Sequence, residues 1–367
     1  MSKFKYLVLS DIHLGHNINR TDNIIYNLRR FFQDHYKVLR DINAIFLAGD
    51  VFDRLLSPSS QDFILINQWL TELLIICKNN DIMLRILEGT HSHDWKQAKV
   101  LSVIISKLEI ELDYKYIDDI YIEKNKKYNI SILYVPDDYD PIAKNTYKRV
   151  LEVLNENHLS NVDIAIMHGQ FHYQMPNIIL DSSHTESDYL EIVKYYISIG
   201  HIHTHSFNGR ILAQGSFDRL AHNEEEDKGG IVITLDKEKE SSWLFLKNKH
   251  AMIFNTYYFK NVSLEDIILR IDKEVKKLPE GSSVRLICDN PNIDIISIRK
   301  KYPMLRFKLE RKVKQKEKHT IIDKDLVIEE FNITKENISE LLFKELTKYN
   351  LTGKELEMIE SEISNVI

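Results

Sequence analysis

The sequence predicts an α/β fold, and three observations predict it. Short apolar runs of strand length recur through the first two thirds of the chain, and each ends at a polar residue, a glycine or a proline. Amphipathic stretches separate the early runs, with apolar residues three and four positions apart as on one face of a helix. The composition, 43% hydrophobic and 28% charged, is that of an ordinary soluble globular protein. Strands and helices that alternate in this way form layered α/β cores.

The predicted elements of the first part follow in chain order. The predicted strands are Tyr6–Ser10, Ala44–Ala48, Met83–Leu87, Ile130–Val135, Asp163–Met167, Tyr196–Ile199 and Ile231–Leu235. The predicted helices are Ile24–Leu39 and Phe63–Cys77. In α/β sheets the ligand site lies at the carboxyl ends of the strands. We therefore expect functional residues among the polar side chains that directly follow these runs.

A second, smaller unit follows in the sequence. With 367 residues, the chain exceeds the usual size of a single core. Past about Asn255 the pattern is that of a compact α+β unit, so we place a main domain at 1–250 and a small unit at 251–312. Ser263 and Asp266 resemble a capping box at a helix start. The predicted elements of this unit are strands Thr256–Phe259, Ser283–Cys288 and Met304–Leu309, and helices Ser263–Lys277 and Ile293–Lys301.

The last part of the chain is charged and then amphipathic. Between Arg299 and Lys318, ten Lys or Arg accompany only Glu310 and Glu317, so this stretch either contacts phosphates or is a solvated strand and linker. We assign 313–333 to a charged linker. In 334–367, apolar residues at helical spacing predict two short amphipathic helices. These helices either pack on their own protein or dock a partner, and their place after a linker favours a partner.

Charge, cysteines and the N-terminus limit the classes of function. The formal net charge of −6 argues against a uniformly basic protein that coats DNA, although a basic surface can be local. Cys77 and Cys288 are the only cysteines and neither has a CxxC partner, so a structural zinc site of thiolates is not expected. The first residues lack the apolar core of a signal peptide, and no apolar stretch is long enough to span a bilayer. We expect a cytoplasmic location without membrane attachment, which is the host cytoplasm if the chain comes from a bacteriophage.

Four short segments, each at the end of an apolar run, carry the residues of a candidate metal site. In Asp-x-His and His-x-His on an extended backbone, side chains i and i+2 project to the same side, so each pair can present two ligands to one centre. Alone, each piece is more often a turn or a buried, hydrogen-bonded histidine. Their order and placement favour a site for two divalent ions, which clamp the oxygens of a phosphoryl transfer. The segments are Asp11-Ile-His13, Gly49-Asp50-Val-Phe-Asp53, Met167-His168-Gly169 and Gly200-His201-Ile-His203.

The four segments resemble the ordered signature of the calcineurin-like metallophosphoesterases. The resemblance implies a four-layer α/β/β/α sandwich. It also implies two divalent metal ions, most often Mn²⁺ in the related nucleases, a metal that suits mixed carboxylate and imidazole ligands. Asp50 is expected to bridge the ions. The resemblance assigns one metal to Asp11, His13, Asp50 and His203, and the second to Asp50, His168 and His201.

One block departs from the family pattern. Where the family has Gly-Asn-His-Asp, this chain reads Glu88-Gly-Thr-His-Ser-His-Asp94, so the amide ligand of the second metal is absent. One alignment makes Thr90 the ligand and His91 the catalytic histidine. The other, which we prefer, makes Ser92 the ligand and keeps a His93–Asp94 pair, in which a carboxylate can orient and charge an imidazole. His93 is then the expected catalytic acid, with Asp94 as its partner and His91 in reserve; a water can replace the Ser92 ligand.

Four more segments bear on the substrate: Asp53-Arg54, Gln214-Gly-Ser-Phe-Asp-Arg-Leu220, Asn223-Glu-Glu225 and Lys228-Gly-Gly230. They resemble one branch of the superfamily, the family of the DNA nuclease SbcD and its relative, the meiotic recombination eleven nuclease. The branch implies a hydrolase, a DNA exonuclease and endonuclease that processes DNA ends in replication, recombination or repair, as the nuclease subunit of an SbcCD complex. On this interpretation 1–250 is the nuclease domain and 251–312 a DNA-binding capping domain.

The same resemblance implies partners. They are DNA, an SbcC-type SMC-like ABC ATPase bound by the tail 334–367, and a second copy of the chain, paired in a homodimer through the helices after Asp53, including Phe63–Cys77. Two alternatives stay open: a phosphatase or phosphodiesterase of the same fold with a non-DNA substrate, and a non-catalytic scaffold that binds DNA or the ATPase, which the missing asparagine motivates. The residues expected to contact DNA are His16, Arg54, Arg219, Lys308, Arg311 and Lys312.

Overall fold

The structure is a computed structural model, and it describes residues 3–107, 111–137, 140–176 and 181–311. All of them belong to one compact unit, Met1–Lys312. Lys312, the predicted charged linker 313–333 and the predicted helical tail 334–367 lie outside the described residues. No helix in the described part of the chain is long and apolar enough to cross a membrane.

The described residues form a mixed α/β structure, which confirms the predicted class. The strands are β1 Phe4–Leu9, β2 Ala44–Ala48, β3 Met83–Leu87, β4 Tyr114–Ile117, β5 Tyr121–Asn125, β6 Ile130–Val135, β7 Ile164–Gly169, β8 Ile197–His201, β9 Ser206–Asn208, β10 Ile211–Ala213, β11 Gly229–Leu235, β12 Ser242–Lys247, β13 Phe254–Phe259, β14 Ser283–Cys288 and β15 Arg306–Arg311. The helices are α1 Thr21–Asp34, α2 Tyr36–Leu39, α3 Gln61–Asn79, α4 His91–Asp94, α5 Val100–Lys107, α6 Ala143–Glu156, α7 Glu186–Ile192, α8 Leu264–Val275 and α9 Ile295–Lys301.

Two six-stranded sheets carry the main domain. The first has the order β12-β11-β1-β2-β3-β4, in which β1 to β4 run parallel and β11 and β12 are antiparallel additions. The second has the order β5-β6-β7-β8-β10-β9, with a parallel centre from β6 to β10 and an antiparallel strand at each edge. The parallel centres place the carboxyl ends of β1, β2 and β3 at one edge of their sheet, and those of β7 and β8 at one edge of theirs.

Alternate residues of the central strands belong to different hydrophobic cores. In β1, Leu7 and Leu9 pack with α1 and α3, whereas Tyr6 and Val8 pack with residues of β6 and β7 from the other sheet. A third core joins the far face of the second sheet to α6 and α7. Strands buried on both faces read as continuous apolar runs. This burial explains why the central strands could be predicted from the sequence.

The predicted elements differ from the observed ones in identifiable places. The predicted helix Ile24–Leu39 is two helices, since α1 ends at Asp34 and the chain turns at His35 before α2. Strands β4, β5 and β12 were not predicted; their side chains are largely half-buried or exposed, so they lack an apolar run. Helices α6 and α7 were not predicted either.

The small unit has a sheet and a core of its own. Strands β13, β14 and β15 are parallel, and α8 and α9 pack with them in a separate hydrophobic cluster. The predicted helix start at Ser263 is confirmed, because its hydroxyl accepts a hydrogen bond from the Asp266 N–H at 3.1 Å. The unit contacts the main domain through the His222 ring, whose Nε2 lies 3.0 Å from the Ser283 hydroxyl.

A buried ion pair connects the two large sheets. The guanidinium of Arg85 in β3 is fully buried and donates to both oxygens of Glu123 in β5, at 2.8 and 2.6 Å. The Tyr134 hydroxyl also donates to Glu123, at 2.9 Å. Burial disfavours the charged carboxylate, but the hydrogen bonds and charge of Arg85 outweigh it and lower the pKa of Glu123 to about 2.

We expect Glu123→Gln to lower the free energy of unfolding by about 3–5 kcal/mol, because Arg85 then loses its buried carboxylate partner and keeps only the exposed Asp113. Urea denaturation at neutral pH measures the change. Asp113→Asn is the matched control with a smaller effect, since Asp113 also contacts Arg85 but its side chain is 56% exposed.

The same pair predicts a pH dependence. The folded pKa of Glu123 is depressed from 4.5 to about 2, so its stabilisation is present above about 4.5 and is lost as the pH falls toward 2. The Gln variant should lack this part of the acid sensitivity. An identical loss of stability between pH 4.5 and 2 in both proteins would contradict the assignment to Glu123.

Candidate metal centre

The residues predicted as metal ligands lie at the carboxyl ends of strands in both large sheets. Asp11 and Asp50 come two residues after the ends of β1 and β2, and His168 and His201 lie within the last two positions of β7 and β8. Their ligand atoms form groups that could hold a metal ion. The groups are Asp11 with His13 and His203, Asp50 with His168 and His201, and His13 with Asp53 and His93.

Several ligand positions have backbone in the left-handed region. The φ angles are 50° at Asp11, 52° at His13, 50° at Asp50 and 100° at His201. The loops after β1 and β2 are joined by backbone hydrogen bonds, including Asp11 N–H to the Gly49 carbonyl at 3.1 Å and His13 N–H to the Asp50 carbonyl at 3.1 Å. Non-glycine residues rarely adopt such angles, and when they do they cluster at functional sites.

Glycines beside the ligands permit the close approach of the strand ends. A Cβ added to Gly49, where φ is +84°, would lie 2.1 Å from His168 Nδ1. A Cβ on Gly89 would lie 2.1 Å from the Asp50 nitrogen, and one on Gly200 would lie 2.4 Å from the Ala48 carbonyl oxygen. The glycine of each of these motifs is therefore needed for packing between loops, and not only for its own turn.

The first group brings two imidazoles and a carboxylate together. The Nε2 atoms of His13 and His203 are 3.1 Å apart, and His203 Nε2 lies 3.9 Å from Asp11 Oδ1. The backbone N–H of His201 donates to both oxygens of Asp11 at 3.0 Å and so fixes the carboxylate. Two imidazole nitrogens at this separation, with a carboxylate beside them, can share one cation.

The second group is built around Asp50, which also reaches the first. Asp50 Oδ2 is 3.4 Å from His168 Nε2 and 3.9 Å from His13 Nε2. His168 is oriented by a hydrogen bond between its Nδ1 and the Ala48 carbonyl at 2.8 Å, which leaves Nε2 toward Asp50. Asp50 thus lies close to a histidine of each group.

Thr90, rather than the preferred Ser92, lies among the residues of the second group. The Thr90 hydroxyl lies 3.2 Å from Asp50 Oδ2, 3.4 Å from His168 Nε2 and 3.4 Å from His201 Nδ1. Ser92 is exposed on the single turn α4, and its carbonyl accepts a hydrogen bond from the Trp95 indole at 3.0 Å. The physical reason is that α4 begins just after Thr90 and carries Ser92 away from the strand end.

The expected His93–Asp94 pair is not formed. The buried carboxylate of Asp94 accepts hydrogen bonds from the backbone N–H groups of Asp50, Phe52 and Gly89, at 3.0, 2.9 and 2.7 Å. His93 is oriented instead by the Asp53 carbonyl, 2.7 Å from its Nδ1. Its ring packs edge-on against His13, with centroids 4.8 Å apart, so His93 borders the first group.

His91 lies further out. It is exposed, and its ring packs against Trp95 with centroids 4.6 Å apart. The structure therefore puts the His93 ring against His13, a predicted metal ligand.

Charge pairs set the protonation of the second group. Burial opposes ionisation of Asp50, but the charge of His168 outweighs it and holds the pKa of Asp50 below its usual range. Burial lowers the pKa of His168, yet the charge of Asp50 raises it, with a net rise to about 10. Burial, and then the charge of His168, lower the pKa of His201. A cation that binds here displaces the proton of His168, so binding strengthens as the pH rises.

Sequence reasoning did not assign the contacts that two carboxylates make with imidazoles of the first group. His203 Nδ1 is 2.9 Å from Glu224 Oε1, and His13 Nδ1 is 3.3 Å from Asp53 Oδ1. Ligating histidines in metalloproteins commonly have such a partner on the second ring nitrogen. The only sequence signal for the Glu224 contact is its place in the segment Glu224-Glu-x-x-Lys-Gly229, which resembles the nuclease family but does not indicate which residue Glu224 contacts.

A buried lysine fixes Glu224 in turn. Lys228 Nζ lies 3.1 Å from Glu224 Oε2 and 2.9 Å from the His203 carbonyl oxygen, and the Leu220 N–H donates to Glu224 at 3.2 Å. Burial opposes the charge of Glu224, but the bonds to His203 and Lys228 lower its pKa to about 2. The segment from Ser216 to Lys228 therefore holds the side chain and the backbone of His203 in place.

The residues expected to contact DNA have varied surroundings. Arg219 is half-buried, and its guanidinium donates to backbone carbonyls of Glu225, Glu226, Ala251 and Met252, so it holds the junction to the small unit. The His16 ring accepts a hydrogen bond from the Asn19 N–H at 3.0 Å, and the Arg54 guanidinium contacts the side chains of Asn17 and Asp62. Lys308 forms an ion pair with Glu310 at 2.9 Å, and Arg311 is exposed. Lys312 lies outside the described residues.

Comparisons with known proteins do not place the chain in a family. No family model matches it, and no curated protein matches it. One crystal structure is 10% identical with a TM-score of 0.41, over 67% of this chain and 100% of its own. Another is GAP50, the anchor in the inner membrane complex of Plasmodium, 13% identical with a TM-score of 0.39 over 80% of this chain and 98% of its own. Likenesses this weak carry no argument about this protein.

We expect Gly49→Ala to weaken metal binding by at least about tenfold, because the added Cβ displaces the His168 ring. Isothermal titration with Mn²⁺ measures the change. Gly209→Ala is the matched control, since Gly209 also has a positive φ, +58°, but its Cβ would have nothing within 4 Å. Equal affinities in the two variants would show that the close approach at Gly49 does not matter.

Proposed function

We propose that this protein is a two-metal phosphoesterase of the calcineurin-like type, a DNA nuclease similar to the SbcD family. The observation that carries the proposal is the pair of His and Asp groups that meet at Asp50, built from the strand ends of two sheets. Two six-stranded sheets with a shared core, and helices packed on the other face of each, support a four-layer α/β/β/α sandwich. Mn²⁺ is the proposed metal, because the ligands are carboxylates and imidazoles.

When bound, a pair of divalent ions activates water for attack on the phosphoryl group and stabilises charge on its oxygens. The chain's own residues do the rest. Asp50 holds the two positions at a fixed spacing, and Asp94 fixes the backbone of Asp50. His93 is the proposed acid: with Nδ1 held by the Asp53 carbonyl, its Nε2 is available to donate a proton to the leaving oxygen.

The surroundings of the site support a nucleic acid substrate. The loop after His13 contacts the small unit, because Arg306 of β15 donates to the Ile18 carbonyl. Arg285 and Lys308 lie side by side in the register of the small sheet, and both are close to Glu310. Basic side chains on a unit that contacts the loop after His13 suit a polymer with a phosphate backbone better than a small phosphomonoester.

We also propose the partners that the SbcD family implies. Exposed apolar side chains on and around α3 and α5 support pairing of two copies through these helices; they are Leu55, Ile64, Ile75 and Val103. An SMC-like ABC ATPase is the proposed partner of the tail 334–367, which lies outside the described residues. The proposed location is the cytoplasm.

The substrate class can be tested directly. Full-length protein is incubated with Mn²⁺ and either linear duplex DNA or p-nitrophenyl phosphate. Cleavage of DNA supports the nuclease. Rapid turnover of the phosphomonoester without DNA cleavage would support a phosphatase of the same fold, and neither activity in a metal-loaded protein would support a binding scaffold.

We expect Asp50→Ala to abolish cleavage of linear duplex DNA in Mn²⁺, because both cation positions lose a shared ligand. Gel assays measure cleavage, and metal analysis should find fewer than two ions per chain. Asp22→Ala, at an exposed position of α1, is the control that retains activity. Full cleavage by the Asp50 variant would remove this centre from consideration.

We expect His93→Ala to lower kcat by about 10²–10⁴-fold while metal binding persists, as is usual for loss of a general acid. Its pH–rate profile should lose the limb that depends on the acid. His91→Ala serves as the matched histidine control, with a small effect. If the His91 variant shows the large loss instead, the catalytic role belongs to His91.

A further inference from the structure

We infer that the two cation positions of this centre bind with unequal affinity, and that the one formed by Asp50, His168 and His201 is the weaker, exchangeable position because Thr90 completes it. The inference rests on the proposed metal centre but does not require that the substrate be DNA. Three differences between the positions carry it: the number of carboxylates, the partners of the imidazoles, and the nature of the last ligand.

The carboxylates are unevenly divided. The first position has Asp11 to itself and shares Asp50, whereas the second has only a share of Asp50. The Thr90 N–H donates to Asp50 Oδ1 at 2.6 Å, and the Thr90 hydroxyl donates to Oδ2 at 3.2 Å. Hydrogen bonds from Thr90 therefore already neutralise part of the negative charge that Asp50 could offer to a cation at the second position.

The imidazoles of the first position have anionic partners. His203 Nδ1 is held by Glu224 at 2.9 Å. His13 Nδ1 is buried and lies 3.3 Å from Asp53 Oδ1, within ion-pair distance although the two make no hydrogen bond. With a cation at Nε2, the Nδ1 side of each ring would therefore lie beside a carboxylate. Such partners raise the basicity of the ring and the affinity for the metal.

In the second position, the ring nitrogen of His168 that faces away from Asp50 has a neutral partner. His168 Nδ1 pairs with the Ala48 carbonyl at 2.8 Å, and His201 turns Nδ1 toward the Thr90 hydroxyl at 3.4 Å. A backbone carbonyl orients a ring without adding charge. At His168, the second position thus has a carbonyl where Glu224 gives His203 of the first position an anionic partner.

Thr90 determines the remaining ligand. Its hydroxyl is close to all three partners of the second position, so no larger group can enter without replacing it. A neutral alcohol is a weaker ligand for a divalent cation than an amide or carboxylate oxygen, and here it donates its proton to Asp50. Replacing Thr90 by Asn would supply an amide oxygen at the same place.

The test is a Mn²⁺ titration of chelator-treated, full-length protein, followed by calorimetry and by the electron paramagnetic resonance signal of free Mn²⁺. We expect two steps in the unmodified protein, the second weaker by at least about tenfold. Glu224→Gln should weaken the first step. A single step with two equal ions would overturn the inference without any variant.

Thr90→Asn should tighten the second step by about tenfold or more and leave the first unchanged. Thr90→Val, which keeps the volume but removes the hydroxyl, is the matched control and should not tighten it. Circular dichroism establishes that both variants fold. A folded Asn variant whose second step is unchanged would refute the role of Thr90. Two unequal steps without DNA cleavage would leave this inference standing and overturn the proposed nuclease activity.

Discussion

The buried carboxylate of Asp94 is the interaction on which the centre depends. It accepts hydrogen bonds from the backbone N–H groups of Asp50, Phe52 and Gly89, and so joins the loops that follow β2 and β3. A carboxylate buried beside Asp50 is costly, and burial followed by the charge of Asp50 raises its pKa well above the usual value. Three N–H donors offset that cost. What the protein gains is a fixed position for Asp50, which is close to a histidine of each candidate group.

The centre stores conformational strain in the same loops. Asp11, His13 and Asp50 all have left-handed backbone, which is unfavourable for residues with a Cβ. The surrounding structure imposes this backbone conformation. Hydrogen bonds between the loops after β1 and β2 hold the backbone, and the close packing of the loops at the glycines prevents them from adopting a less strained conformation. A preorganised shell of this kind needs little rearrangement when a cation enters.

The sequence predicts the fold class and the ligand positions because both follow from the same physical fact. Strands buried on two faces are apolar along their whole length, so the residue at which each strand ends can be recognised in the sequence. The side chains that follow neighbouring parallel strands lie close together in the fold. Edge strands such as β12 are half-exposed and give no such signal. The Thr90–Ser92 question could not be decided from spacing, because it depends on where the turn α4 begins. The contact between Glu224 and His203 could not be predicted either, because only the fold brings these two residues together.

The segment that supports His203 also reaches the small unit. Within it, Asp218 accepts the Met252 N–H at 2.7 Å, and Arg219 donates to the carbonyls of Ala251 and Met252, while Glu224 a few residues on holds the imidazole. One short stretch of chain is thus hydrogen-bonded to the start of the small unit at one end and to the His203 ring at the other. A substitution that shifts Ala251 or Met252 would therefore also disturb the residues that orient this imidazole.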